Sequence, residues 1–243
     1  MAPGSDGRPW FSFAAWFSQA TFTLLWVERY AELGPHLDDS IAHARAAGDS
    51  NRLAMGLANR GWLALRRGDL SAAEEDARTA LAATELPAPP MYRVLSATLL
   101  VETLVDQGDL DAAEQALAPI DPVTKSGSLI AAVVRFARGR LRVAQGRAAE
   151  GLEDFLTAGA LMTRALVISP GFLPWRSEAA LAHLALGDND SAQRLAEEEL
   201  RLAQAFGAPR ALGLAKRATG LVAGGDRGAT LLREAVDGFE RGA

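Results

Sequence analysis

Apolar residues recur at helical spacing along most of this chain. Leu53, Leu57, Trp62 and Leu65 mark one such segment, and Leu95, Leu99, Leu104 and Val105 another. Intervals mostly of three to five residues place side chains on one face of an α-helix, not on one face of a strand. Five of these segments run into a glycine, and a second helical pattern begins at once. The turns are Gly68-Asp69-Leu70, Gly108-Asp109-Leu110, Gly146-Arg147-Ala148, Gly187-Asp188-Asn189 and Gly225-Asp226-Arg227. Their glycines recur at a nearly constant period of roughly 40 residues, the mark of an internal repeat. A weaker copy is expected at Gly34-Pro35-His36. A glycine that ends a helix adopts the left-handed conformation without steric cost, and the Asp after it accepts hydrogen bonds from the next helix's free amides.

Within each copy the second helix carries a small residue five positions after the glycine: Ala73, Ala113, Gly151 or Ala192. Nine positions after it stand Ala77, Leu117, Phe155 and Ala196, on the same face and all apolar. A small residue at the first position lets paired helices approach closely. Proline-rich connections, such as residues 86–90, Pro119–Pro122 and Ser169–Pro174, fall between pairs, where they interrupt no helix. The pattern predicts an all-α protein: an α-solenoid of about six antiparallel helix hairpins, in a tetratricopeptide-like superhelix. The hairpins are expected at about 10–48, 50–85, 90–120, 126–167, 174–206 and 208–241 of a repeat domain over 10–243, after a disordered tail at 1–9.

Composition supports a packed protein and removes several chemistries. The chain is 49% hydrophobic and 23% charged, enough apolar surface for a core. A net charge of −5 offers no broad basic footprint, so direct nucleic-acid binding is not expected. With no cysteine there is no disulfide and no thiolate nucleophile or ligand. The apolar run from Trp10 to Val27 is interrupted by Ser12, Ser18, Gln19, Thr21 and Thr23. It reads as a buried helix instead of a signal peptide or a membrane span, and the expected location is cytoplasmic.

The glycine, small residue and aromatic or small residue at Gly68, Ala73 and Ala77, at Gly146, Gly151 and Phe155, and at Gly187, Ala192 and Ala196 resemble the tetratricopeptide consensus. Leu117 departs from it. The period is also longer than the usual one of about 34 residues. The longer period, with strings such as Arg60-Gly61-Trp62-Leu63-Ala64-Leu65 and Phe172-Leu173-Pro174-Trp175-Arg176-Ser177, resembles the helical-repeat region of large ATP-dependent LuxR-type transcriptional regulators of actinobacteria, relatives of the maltose-operon activator. That resemblance implies a regulatory domain that receives an effector or partner and relays its state to an ATPase. It does not extend to the other domains of such regulators. There is no Gly-x-x-x-x-Gly-Lys phosphate loop, neither Lys125 nor Lys216 follows a glycine, and no basic recognition helix follows the repeats. ATPase and DNA-binding activities are therefore not carried over.

No catalytic constellation emerges, and neither a cofactor nor a metal is expected. His36, His43 and His183 lack further ligands, and the runs Glu74-Glu75-Asp76 and Glu197-Glu198-Glu199 read as solvated helix faces. Register from the turns instead places Phe22, Trp26, Met55, Trp62, Arg66, Glu102, Phe136, Arg140 and Ser177 along the concave groove, with Thr98 and Asp106 beside them. Aromatic area alternating with charge suits a protein partner or a small-molecule effector. Trp62 and Phe136 equally suit a core between helices. Trp175 and Arg176 are either loop contacts or a helix-start packing device. Trp10, Phe13, Trp16 and Phe17 at one end, and Leu231, Leu232, Val236 and Phe239 at the other, lack neighbouring hairpins. They are expected to pack on the missing ATPase and DNA-binding domains or on another copy of the chain. The alternative to a regulator's sensor is a free-standing protein–protein interaction scaffold.

Overall fold

Each glycine–aspartate turn closes one helix and opens the next. Gly68, Gly108 and Gly187 take φ of 80°, 81° and 80°, and Asp69, Asp109 and Asp188 accept hydrogen bonds from the amides of Ala72, Ala112 and Ser191. A computed structural model describes residues 21–84 and 90–242. The sequence readings at residues 1–9, at Trp10, Phe13, Trp16 and Phe17, and in the proline-rich connection at 86–89 lie outside the described residues.

The described residues form twelve α-helices and no strand. After α1 (residues 21–26) come α2 (Tyr30–Ala47), α3 (Ser50–Arg67), α4 (Leu70–Ala83), α5 (Pro90–Gln107) and α6 (Leu110–Leu117). A short 3-10 turn (Asp121–Lys125) precedes α7 (Leu129–Ala144) and α8 (Ala148–Arg164). The chain ends through α9 (Trp175–Ala185), α10 (Asn189–Phe206), α11 (Pro209–Ala223) and α12 (Gly225–Gly242). Consecutive helices pair as antiparallel hairpins, and α3, α5, α7, α9 and α11 also pack on one another in order, so the first helices of the pairs line one wall of an α-solenoid.

The small positions act as the pattern predicts. Ala73, Ala113 and Ala192 are fully buried, and a Cβ on Gly151 would stand 2.8 Å from the carbonyl oxygen of Gly139. In two hairpins a buried carboxylate ties the pair together. Arg60 donates through Nε and Nη2 to Asp76 at 2.8 and 2.7 Å, and Arg138 does the same to Asp154 at 2.8 and 2.6 Å. Such bidentate pairing is geometrically specific. Asp76 and Glu199 therefore correct the expectation that both acidic runs are solvated: they are 5% and 2% exposed, facing Arg60 and Arg176.

Three other expectations are corrected. Gly34 and Pro35 lie inside α2, not at a turn. The first turn comes instead at Glu28, one repeat period before Gly68. It has φ of 62° and the amide-to-carbonyl bonds of the glycine turns: Arg29 to Leu24 and Glu28 to Leu25. The last turn glycine is Gly224, so Asp226 sits inside the first turn of α12 instead of capping it. The apolar residues of α12 are largely consumed by their own hairpin. Phe239 seats against Gly213, and Leu231 and Leu232 against Gly220, glycines whose missing side chains admit them; Val236 remains exposed.

Candidate functional site

The solenoid closes on itself around its groove. The carboxylate of Glu28, held outward by its left-handed backbone, accepts hydrogen bonds from the amides of Arg210 and Ala211 at 2.6 and 2.9 Å. No side chain at the local cap residue Ala208 does this for α11, so the first hairpin caps a helix of the last. A second bridge crosses the groove's interior. Arg66 on α3 donates to the carbonyl oxygens of Leu25 and Gly171 at 3.0 and 2.9 Å, and Trp26 packs on Phe172 with ring centroids 4.5 Å apart. Gly171 is required there, because a Cβ would strike the carbonyl oxygen of Trp26.

Two adjoining chambers result. The polar one, about 300 Å³, is lined by Trp62, Arg66, Glu102, Asp106, Phe136, Arg140, Glu178, Arg210, Leu214, Arg217 and the Phe172–Pro174 loop. The apolar one, about 610 Å³, lies between α1, the start of α5 and the start of α7, with Phe22, Trp26, Leu95, Leu129 and Val133 among its walls. Trp62, Arg66, Phe172 and Leu173 belong to both.

Charges in the polar chamber are unevenly satisfied. Arg140 bonds Glu102 at 3.1 Å and Asp106 at 2.5 Å. Burial pulls its guanidinium down, but Glu102, Glu178 and Asp106 outweigh that and hold it above its ordinary value. Burial likewise raises the Glu102 carboxyl against the opposing pull of Arg140, and its Oε1 is buried without a hydrogen-bond partner. Arg210 makes no side-chain hydrogen bond or ion pair among the described residues. Burial first, and then the like charge of Arg66, depress it to about 10, which leaves it cationic at neutral pH.

The groove residues expected from register therefore divide. Phe22 and Trp26 line the apolar chamber, Glu102, Phe136 and Arg140 the polar one, and Trp62 and Arg66 both. Phe136 also belongs to the core, 3% exposed against Phe155. Met55 and Ser177 are buried and line neither chamber. Met55 lies in the stretch of α3 whose neighbour Gly56 sits against Ile41 of α2, and the Ser177 side chain is too short to emerge. Trp175 and Arg176 form a packing device: the indole fills the space over Gly159, and Arg176 lies 4.4 Å from that ring while bonding Glu198 at 2.8 Å. Glu28, Gly171, Phe172 and Arg210 are not marked as site residues by the sequence pattern. A carboxylate one repeat period before Gly68, where a turn is due, is the one signal that pointed to any of them.

Among the described residues no group of three or more His, Asp or Glu is placed to hold a metal ion, and no helix is long and apolar enough to cross a membrane. The hairpin geometry and small-residue register define a tetratricopeptide-like helical-repeat fold. No family model matches the chain, and no curated protein matches it. A solved structure shares the fold. BtubC (BKLC) from P. vanneervenii superimposes with a TM-score of 0.60 at 18% identity, over 86% of this chain and 87% of that one. MamA superimposes with a TM-score of 0.43 at 19% identity, over 80% and 94%.

Proposed function

We propose that this chain is a non-catalytic binding domain that takes a small ligand into its closed concave groove and signals occupancy through the contact between its first and last hairpins. The observation that carries this reading is the closure itself. With Glu28 capping α11 and Arg66 bound to the 168–174 connection, the ends of the groove are held together around chambers of small-molecule size that stay open to solvent at Met91 and Arg217, a shape that favours a small ligand over an extended chain. A ligand bridging α3, α5, α7 and α11 binds the closed arrangement better than any opened one, and so shifts the population toward it. The resemblance of the repeat strings to LuxR-type regulators supports signal reception for transcription as the context. A second reading, a protein-interaction scaffold, draws on Leu166 and Ile168, which stand 86% and 63% exposed in one connection.

The test is a thermal-shift screen of a small-molecule library against the wild-type protein and a Leu214→Trp variant that fills the polar chamber. Compounds at a hundredfold excess over Kd are expected to stabilise the wild type by about 2.7 kcal/mol and the filled variant not at all. A screen in which nothing discriminates between the two proteins sinks the reading.

A further inference from the structure

The polar chamber holds unpartnered groups of both signs. The Arg210 and Arg217 guanidinium groups have no side-chain hydrogen bond or ion pair among the described residues, and neither has the Glu178 carboxylate on the adjacent helix α9, although its charge acts on Arg140. Glu102 is 6% exposed, and its Oε1 accepts nothing, although Oε2 is engaged by Arg140. A buried oxygen left in this state costs free energy that a donor arriving with a ligand restores. An anion alone would satisfy Arg210 and leave both carboxylates as they are. A cation alone would do the reverse. The adjoining chamber offers apolar walls at Leu95, Leu129 and Val133, reached past Trp62 and Phe172, which line both chambers.

We infer that the chamber binds a free α-amino acid with a large apolar side chain, an assignment that rests on the small-ligand reading of the groove. Arg210, with Arg66 behind it, takes the α-carboxylate in a charge-assisted pair. Glu102 and Glu178 take the ammonium group, and the side chain enters the apolar chamber. A zwitterion adds no net charge to a chamber whose four arginines and three carboxylates are already nearly balanced. It gives the buried Glu102 Oε1 a donor and meets Arg210 and Glu178 at the same time, which neither half of the molecule does.

The decisive measurement is calorimetric titration of the intact chain with L-phenylalanine, L-leucine and L-tryptophan. It is paired with three analogues of the first: the N-acetyl derivative lacking the ammonium, the amide lacking the carboxylate, and 3-phenylpropionate. At least one of the three amino acids is expected to bind saturably, and each analogue to bind at least about tenfold more weakly. Arg210→Gln and Glu178→Gln are expected to lose about tenfold as well, and Arg210→Gln to melt no lower than the wild type in the absence of ligand, because burial and Arg66 disfavour its charge in the fold. The assignment is overturned if 3-phenylpropionate or the amide binds as well as the amino acid, or if Arg210→Gln binds as the wild type does. It is overturned too if no amino acid binds while other library compounds stabilise the wild type and spare Leu214→Trp; the small-ligand reading then survives. If no compound of any kind distinguishes those two proteins, both readings fall.

Discussion

Glu199 is a buried side chain that responds to pH near neutrality, although almost none of it touches solvent. It lies on α10 with Arg176 Nη1 3.5 Å away, too far for a hydrogen bond, and burial pushes its carboxyl up from 4.5 to about 7. The folded state therefore holds the proton more tightly than the unfolded chain does. The stabilisation this confers is complete below the unfolded value of about 4.5 and is lost as pH rises through about 7. The span corresponds to about 3 kcal/mol at full extent. Glu199→Gln removes the titration and leaves Arg176 its shorter bond to Glu198. Urea unfolding is expected to show the variant and the wild type close together at pH 5. At pH 8 the variant should be more stable, by up to about 3 kcal/mol. A difference that is the same at both pH values would show that Glu199 stays ionised in the fold.

Among the elements, the turn between α7 and α8 lacks the side-chain cap that Asp69, Asp109 and Asp188 supply in their turns. Gly146 has the left-handed backbone of the other turns, with φ of 81°, but Arg147 follows it and supplies no side-chain cap to α8. Its exposed contacts with Glu150 and Glu114, at 3.3 and 3.9 Å, contribute little. Arg147→Asp is expected to stabilise the protein by about 0.5–1 kcal/mol, by supplying the acceptor that Asp69, Asp109 and Asp188 supply elsewhere. Thermal unfolding reads this directly, and a lower melting temperature would count against the capping account. The same comparison explains how far the sequence could be read. Turns announced by a glycine and an aspartate were visible, and so was the groove position six residues before each turn, which holds Trp62, Glu102 and Arg140. The position ten residues before was read too generously. Phe136 and Leu214 are long enough there to reach the chamber, whereas Thr98 and Ser177 are short and stay buried. Arg210 and Phe172 belong to a helix start and to a connection. They occupy no repeated position, so no periodic signal could point to them.

For the whole molecule, one of the two contacts that close the groove is made by a residue in an unfavourable conformation. A non-glycine residue in the left-handed region costs roughly 1–2 kcal/mol, and Glu28 stands at φ of 62° where the later turns have glycine. The carboxylate that occupies this place bonds two amides in the last hairpin, at the far end of the described chain. Two substitutions separate the strain from the cap. Glu28→Ala keeps the strain and loses the cap; Glu28→Gly loses both. Removing a charged acceptor from two helix-start amides costs about 1–3 kcal/mol. The alanine variant should therefore be destabilised, and the glycine variant should recover about 1 kcal/mol of that loss. Both should open the ring to the same extent, since neither can cap α11. Hydrogen exchange checks this at Arg210, Ala211 and the connection over 168–174, where protection is expected to fall in both variants while the buried ion-pair region around Asp154 keeps its own. Unchanged protection at Arg210 and Ala211 would mean that the 168–174 bridge, through Arg66 and Trp26, closes the groove without Glu28. If protection falls, Glu28 holds the ring closed, and the proposed ligand between α3, α5, α7 and α11 is expected to raise protection at Arg210 and Ala211 in the wild type only.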